Sequence, residues 1–197
     1  MIGGTYGKIL HVNLSSGAVK VETPPEYIYR RLLGGRALAA YLLLRDLPAD
    51  AEPLGPENLL IFTPGVLQGT SLPGSGRHGV AGKSPLTGAL GSSESGGWWG
   101  NEFKRAGFDA LVVHGRAQSP VYLWIKNGNV EIRAANHLWG LKTAPTQAAI
   151  REELGDERIR IAQIGRSCHV QADVVTHHDI VAAAGRARDL NAIDSVA

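Results

Sequence analysis

Apolar and polar residues alternate along several short stretches of the chain, which is the pattern of strands with one covered face. Residues 7–14 and 18–22 alternate on either side of a Ser-Ser-Gly turn and predict a β-hairpin. Residues 121–126 and 129–133 do the same around Asn127-Gly128. An Asn-Gly pair between two such stretches is a strong signal for a tight turn. The chain therefore begins with one predicted hairpin and carries a second beyond its middle.

A longer apolar stretch, residues 27–47, has helical character but contains Gly34-Gly35. Glycine weakens a helix interior, so this stretch predicts two short helices with a break between them. Thr23 and Glu26 have the spacing of a capping box and predict the start of the first helix. Further helices are predicted at 98–106 and 144–154.

The other strands are predicted from short apolar or alternating stretches. They lie at 58–63, 78–82, 89–93, 109–114 and 158–164, with a further candidate at 170–176. Consecutive strands are often linked as hairpins, and the strand–helix alternation of a parallel sheet is weak. The predicted fold class is therefore α+β with mostly antiparallel sheet and a few short helices, in a single domain over residues 1–197.

Composition and charge narrow the possible partners. The hydrophobic fraction of 44% and the charged fraction of 19% are those of a globular protein. The net charge of +2, without a block of Lys or Arg, gives no support for nucleic-acid binding. No apolar run reaches the ~18 residues that a membrane span needs. The single cysteine, Cys168, excludes an internal disulfide framework and, without a signal-peptide pattern, favours the cytoplasm.

Glycine is the exception in this composition, at 25 of 197 residues. Two glycine-rich segments stand out, Gly74-Ser75-Gly76-Arg77 and residues 91–97 just before a predicted helix. Bare backbone amides at a helix start can bind an anion, and an arginine can add paired hydrogen bonds to it. Tight turns between short strands would need the same glycines. The residues alone leave both interpretations open.

Two further motifs have weaker support. Residues 81–84 (AGKS) end like a nucleotide-binding P-loop, but Arg77 stands where that loop needs glycine, and Pro85 follows at once. Cys168 has histidines nearby, but their spacing is not that of a zinc or iron site, and no base is assignable for a thiol nucleophile. A surface or packing role is the simpler interpretation for these histidines, which are His169, His177 and His178.

Several bulky or charged side chains have structural interpretations. At least one of Trp98-Trp99 is predicted to pack the following helix onto the sheet. Trp139 is predicted to be a buried anchor before a helix. Glu102 is interpreted as a surface charge of a helix, and Asp109 as the residue that begins a strand.

Six ordered stretches carry a resemblance to a known family. They are GKILHVNLSSG at 7–17, LLGGRALAAYLLL at 32–44, PENLLIF at 56–62, GSGRHGVAGKSPLTG at 74–88, SGGWWGNEFKRAGFDALVVHGRAQSPVYLWI at 95–125 and VEIRAANHLWG at 130–140. In these stretches the chain resembles the N-terminal domain of the tungsten-containing aldehyde:ferredoxin oxidoreductase family. The resemblance covers about residues 3–165 without a large gap. Residues 166–197 diverge from the family and are several residues shorter.

The resemblance implies a sheet-rich base, with two sheets forming a saddle for a bis-pterin that carries tungsten or sometimes molybdenum. In the family, later helical domains cover this base and provide the cysteines of a 4Fe–4S cluster. The enzyme oxidises an aldehyde to a carboxylic acid and passes electrons through the cluster to ferredoxin. Because this sequence contains no CxxCxxxC motif, cluster and activity are expected only with the missing C-terminal domains or a partner subunit.

The resemblance also assigns site residues. Arg77 matches an arginine between pterin and cluster, and Gly96 matches a glycine that contacts the pterin. A second pterin-binding segment matches here in part. The cofactor-binding residues implied in this sequence are Arg77, Glu94, Ser95, Gly96, Gly97, Ala183, Gly185 and Arg186. No catalytic residue and no metal ligand is implied within this chain.

Two positions depart from the family pattern. Glu94 replaces the usual asparagine, and Ala182 replaces the arginine that opens the second segment. A carboxylate cannot donate a hydrogen bond and repels phosphate. Two hypotheses therefore stand. The chain is a cofactor-binding component of an oxidoreductase, or it is a degenerate, noncatalytic interaction module that keeps the fold without the cofactor.

Overall fold

A computed structural model describes residues 3–163 and 180–185, the latter as backbone only. This part of the chain forms ten strands and four helices. The strands are β1 Ile9–Asn13, β2 Ala18–Glu22, β3 Leu60–Pro64, β4 His78–Lys83, β5 Leu90–Ser95, β6 Ala110–His114, β7 Val121–Lys126, β8 Asn129–Ala134, β9 Arg160–Ala162 and β10 Ile180–Gly185. The helices are α1 Glu26–Leu32, α2 Gly35–Asp46, α3 Trp99–Arg105 and α4 Thr143–Leu154.

The strands form two sheets of unequal size. The larger sheet has six strands in the order β2-β1-β6-β3-β4-β5, and the smaller has four in the order β8-β7-β10-β9. Each sheet contains one parallel pair, β1 with β6 and β10 with β7, and all other neighbours are antiparallel. The predicted α+β class with mostly antiparallel sheet is therefore confirmed.

Both predicted hairpins are confirmed in the structure. β1 pairs with β2, and β7 pairs with β8. At the second turn Asn127 and Gly128 have φ values of 50° and 84°, the left-handed conformations that a tight hairpin turn of this type requires. The local sequence dictates this turn, because Asn and Gly adopt positive φ at low cost.

The two sheets share a core, and α3 lies within it. Leu10 and Leu111 of the larger sheet pack in one apolar cluster with Leu123 of the smaller sheet and with Trp99 and Phe103 of α3. Trp99 is 1% exposed and stacks on Phe103 with ring centroids 5.2 Å apart. The prediction that at least one tryptophan of the Trp-Trp pair packs α3 onto the sheet is confirmed.

The outer faces of the sheets are covered by the other helices. α1 and α2 pack Ile28, Leu38 and Leu42 against the larger sheet. α4 packs Ile150 onto the smaller sheet beside Trp124. The break predicted at Gly34-Gly35 separates α1 from α2 as expected. The longest helices in the described part of the chain have 12 residues, and none of them could cross a membrane.

The predicted capping box at Thr23 is wrong. α1 begins at Glu26 after Pro25, which has extended backbone angles, φ −57° and ψ 144°, and no side chain caps the helix. Because Pro25 holds the chain extended up to the helix, Thr23 lies too far back to reach the free amides of the first turn.

The predictions for Trp139 and Glu102 are also wrong. Trp139 is 52% exposed, while the preceding Leu138 is 5% exposed. The short turn after β8 places Leu138 and Ala135 together in the core, with Leu138 N–H donating to the Ala135 carbonyl, so the next residue faces outward. Glu102 is 6% exposed, because the sheets enclose α3, and it accepts a hydrogen bond from Arg105.

Asp109 begins its strand region as predicted, but it is also a buried charge. Its carboxylate accepts hydrogen bonds from the amides of Tyr6, Gly7 and Lys8 and pairs with Lys104 Nζ at 2.8 Å. The side chains of Lys104 and Asp109 are only 4% and 2% exposed. This contact joins the start of the chain, α3 and the entry to β6.

Candidate functional site

The hairpin of β4 and β5 brings the two glycine-rich segments together. The last pair of this ladder is His78 with Ser95, so Arg77 and Gly96 lie side by side just beyond it. A Cβ placed on Gly76 would lie 3.6 Å from the carbonyl oxygen of Gly97. Residues 19 positions apart in sequence thus form one edge of the larger sheet, as the anion-site interpretation requires.

The end of the β4–β5 hairpin packs against the buried core around α3. His78, the first residue of β4, is 2% exposed, and its ring lies 5.0 Å from the ring of Trp99. Trp99 in turn begins α3, two residues after Gly97. The segment before β4 and the segment after β5 are therefore both attached to one buried aromatic cluster, which holds the backbone of the candidate site in place.

The glycines at 96 and 97 differ in what the fold demands of them. Gly97 has φ 84°, a conformation that other residues adopt only at a cost. Gly96 is not among the residues with positive φ, and a Cβ there would meet nothing within 4 Å. Since the fold does not need glycine at 96, its bare backbone is available for close approach by a ligand.

This difference gives a testable prediction. Gly96→Ala is expected to change the free energy of unfolding by less than about 0.5 kcal/mol, because the added methyl meets open space. Gly97→Ala is expected to destabilise the protein by about 1–2 kcal/mol, because alanine is forced to positive φ. Urea unfolding of both variants checks the order. An equal loss in the two variants would contradict the distinction.

Glu94 lies between two arginines at this edge. Its Oε1 is 3.3 Å from a terminal nitrogen of Arg36, and its Oε2 is 3.8 Å from a terminal nitrogen of Arg77. The two arginine side chains are 60% and 75% exposed, and that of Glu94 is 37% exposed. Two guanidinium groups facing one carboxylate leave this surface with a net positive charge.

Arg36 is a neighbour of the candidate site that the sequence did not identify. It lies in the first turn of α2, directly after the glycine pair that separates the two helices. α2 packs against β4 and also touches β5, which carries Glu94. Residues 36 and 94 meet only through this packing, and no local motif connects them.

The second predicted segment lies in the other sheet. Ala183 and Gly185 are in β10, between β7 and β9, with Ala183 opposite both Trp124 and Ile161. β10 also contacts α3, the helix that follows the glycine turn. Arg186 lies outside the described residues. The structure therefore groups Arg77 with residues 94–97 and places β10 in the other sheet, in contact with α3.

The P-loop interpretation of residues 81–84 is excluded. Lys83 ends strand β4, and its Nζ donates to the backbone carbonyls of Ala49 and Ala51. Ser84 begins a turn, in which the Thr87 amide donates to the Ser84 hydroxyl. Because no helix follows, there is no row of free amides to bind a nucleotide phosphate.

Histidines do occur close together elsewhere in the larger sheet. His11 lies between Glu22 and His114, with nitrogen–oxygen and nitrogen–nitrogen separations of 2.8 and 3.0 Å. Burial, and then the charge of His11, lowers the pKa of His114, whereas Asp46 acts in the opposite direction. Within residues 3–163, no three His, Cys, Asp or Glu side chains are arranged to hold a metal ion. Cys168, His169, His177 and His178 lie outside the described residues.

Comparison with known proteins identifies the family. Residues 9–187 match the family described as "Aldehyde ferredoxin oxidoreductase, N-terminal domain". Over 162 residues the chain is 52% identical to the tungsten-containing aldehyde ferredoxin oxidoreductase of Thermococcus kodakarensis, and 49% identical to that of Pyrococcus furiosus. The chain belongs to the aldehyde ferredoxin oxidoreductase family. The resemblance read from the sequence is thereby confirmed.

The matches within this family cover most of the chain but a minor part of each relative. The T. kodakarensis and P. furiosus matches span 82% of this chain and 27% of each relative. A P. furiosus aliphatic sulfonate oxidoreductase, WOR-like subunit, is 36% identical over 77% of the chain and 24% of its own length. The structure also resembles the active-site complex BamBC of benzoyl coenzyme A reductase, with a TM-score of 0.82, 37% identity, and coverage of 85% of this chain and 26% of the other.

Proposed function

We propose that this chain is the tungstopterin-binding domain of an aldehyde-oxidising enzyme, in which tungsten or molybdenum is carried by a bis-pterin. The observation that carries the proposal is the meeting of Arg77 with the bare backbone of Gly96 at the end of the β4–β5 hairpin. Relatives that are 47–52% identical to the chain are named tungsten-containing aldehyde ferredoxin oxidoreductases. Family and geometry thus support the same kind of ligand.

Arg77 supplies a permanent positive charge at this site. Its guanidinium has several donors in a fixed plane, which suits phosphate oxygens and the polar edge of a pterin. At 75% exposure the side chain is free to turn toward a ligand lying on the sheet edge. In the assembled enzyme its charge would stabilise two anionic groups, the pterin phosphate and a neighbouring iron–sulfur cluster.

The backbone supplies the remaining contacts. The amides of Gly96 and Gly97 would donate hydrogen bonds without side chains of their own blocking the approach, and the amide and hydroxyl of Ser95 precede them at the end of β5. The core under Trp99 holds this segment in position. Ala183, Gly185 and Arg186 form the second half of the proposed contact. When bound, the metal and its pterin supply the oxidation chemistry, whereas this chain binds and orients the group.

The proposed activity also needs groups that this sequence does not contain. A 4Fe–4S cluster takes four cysteine thiolates, and Cys168 is the single cysteine of the chain. The proposal therefore includes the remaining domains, on the same polypeptide or on a partner subunit, and ferredoxin as the electron acceptor. The aldehyde would become a carboxylic acid in that assembly.

A second candidate function is an interaction module that has lost the cofactor. The observation that favours it is Glu94, whose carboxylate already lies between Arg36 and Arg77. In that case the two arginines would serve the chain itself, and no pterin would bind.

The two candidates differ in the metal that the protein retains. The chain would be co-expressed, in cells supplied with tungstate and able to make pterin, with a polypeptide holding the remaining domains of the T. kodakarensis relative. Tungsten would be measured by mass spectrometry and pterin by fluorescence after oxidation. We expect retention of both by the wild type and at least about tenfold less with Arg77→Ala, since a charge-assisted contact to an anion is lost.

Arg133→Ala is the matched control, because Arg133 is a surface arginine of the smaller sheet that pairs with Glu131. This variant is expected to retain tungsten and pterin like the wild type. Absence of both metal and pterin from the wild-type complex would reject the cofactor role and support the interaction module.

A further inference from the structure

Arg36 and Arg77 approach the two oxygens of one carboxylate from different elements of the fold. Arg36 comes from the first turn of α2, Arg77 from the loop before β4, and Glu94 lies in β5. This arrangement, with a guanidinium on each oxygen, is how a protein binds an external oxyanion. Here the oxyanion belongs to the chain itself.

The contacts to Glu94 are weak enough to be exchanged. Charge-assisted hydrogen bonds between guanidinium and carboxylate are typically about 2.7–2.9 Å long, whereas these two separations are 3.3 and 3.8 Å. All three side chains are also more than a third exposed, so water screens the attraction. A ligand with more negative charge than a carboxylate would compete well for the two arginines.

The position of α2 does not depend on this contact. The helix is fixed by Leu38, Leu42 and Leu43, which are 0%, 0% and 5% exposed and pack against the larger sheet. A surface ion pair contributes little beside such burial. The pairing of Arg36 with Glu94 is therefore not needed to hold the helix, and both arginines can leave Glu94 for a ligand without loss of the fold.

We propose that Arg36 and Arg77 form a two-arginine receptor for a phosphate or pyrophosphate group, which Glu94 occupies as an internal competitor until the ligand displaces it. This inference deepens the proposed function, on which it rests. It adds Arg36 to the site and makes Glu94 a residue that sets how tightly the anion is bound. Replacing the carboxylate by a neutral side chain frees both arginines and removes a repulsive charge.

The test uses inorganic pyrophosphate and the 197-residue chain, with binding measured by calorimetry at low salt. Glu94→Gln is expected to lower the dissociation constant of pyrophosphate about fivefold to tenfold, because it releases two arginines from exposed ion pairs. Arg36→Ala is expected to weaken binding, and by a larger factor in the Glu94→Gln background, where no carboxylate competes for the arginine. Arg77→Ala is expected to weaken binding in both backgrounds.

Glu131→Gln is the matched control, because it removes the same charge as Glu94→Gln. Glu131 is paired with Arg133 at 2.7 Å on the smaller sheet. Equal tightening by Glu131→Gln and Glu94→Gln would overturn the inference, since net charge alone would explain it. Binding that needs Arg77 but ignores Glu94 and Arg36 would overturn the inference and leave the proposed function standing. Binding that is indifferent to Arg77 in every variant would overturn both.

Discussion

Asp109→Asn is expected to lower the free energy of unfolding by about 3–5 kcal/mol, the usual cost of breaking a buried ion pair from one side. The substitution leaves the buried Lys104 ammonium without a charged partner, and its neutral acceptors are the asparagine oxygen and the Gly65 carbonyl, 3.4 Å away. In the wild-type protein the backbone amides at residues 6–8 donate to the carboxylate of Asp109. In the variant they would face an amide NH₂ or a neutral oxygen instead. Chemical unfolding in urea, followed by tryptophan fluorescence, measures the loss.

The order of two variants tests this explanation. Lys104→Met is expected to cost less than Asp109→Asn, because the carboxylate left behind keeps its three backbone amide donors. Asp50→Asn, at an exposed position, is the matched control and is expected to change stability by less than about 0.5 kcal/mol. If Lys104→Met were the more damaging change, the amides would not be the main partners of Asp109.

Gly34→Ala is expected to destabilise the protein by at least about 3 kcal/mol, for two reasons that add. Gly34 has φ 84° and ψ −160°, a region open essentially to glycine alone. A Cβ there would also lie 2.7 Å from the Pro64 carbonyl oxygen, closer than real contacts allow. The clash is with backbone, so no side chain can rotate away, and Gly34 is bridged to Gly65 at this point.

The neighbouring glycine is the control for Gly34. Gly35 also has positive φ, 56°, but a Cβ there meets nothing within 4 Å. Gly35→Ala is therefore expected to lower the free energy of unfolding by only about 1–2 kcal/mol, because alanine is less stable than glycine in the left-handed conformation. Urea midpoints of the two variants, compared at the same slope, provide the measurement. Similar losses would show that the close approach to Pro64 does not restrict this position.

The substitutions at Gly34 and at the Lys104–Asp109 pair also affect the elements that carry the candidate site. Gly34 precedes Arg36, and Lys104 belongs to the helix that follows Gly97. Loss of the close approach of Gly34 to Pro64, or of the Lys104–Asp109 ion pair, would be expected to loosen one side of the surface around Glu94. Stability should therefore be measured for each variant before any change in ligand binding is assigned to the site itself.

The sequence predicted most of the elements because their signals are local. The Asn127-Gly128 turn, the helix break at Gly34-Gly35 and the end of α4 at Gly155 depend on the φ preferences of individual residues. The resemblance of residues 74–88 and 95–125 to the family was likewise visible in contiguous stretches. The sequence alone therefore predicts family membership, which comparison with known proteins confirms.

The errors share a different physical cause. Burial of Glu102 and exposure of Trp139 are set by which elements enclose the residue, and hydrophobicity alone does not give this. Thr23 failed as a cap because the extended Pro25 holds it away from the helix start. In each case the residue type favoured one outcome, and its surroundings in the fold produced the other.

The sequence by itself predicted β1 to β9, both hairpin turns, the fold class and the family, because each of these depends on neighbours along the chain. It did not predict β10, and the strand that it predicted at 170–176 lies outside the described residues. Only the tertiary structure decided that Arg36 faces Glu94, 58 positions away, and that Asp109 binds the amides at residues 6–8 across more than 100. Such contacts arise when packed helices and sheets bring distant segments together. Their geometry is set by the apolar core and not by any local pattern.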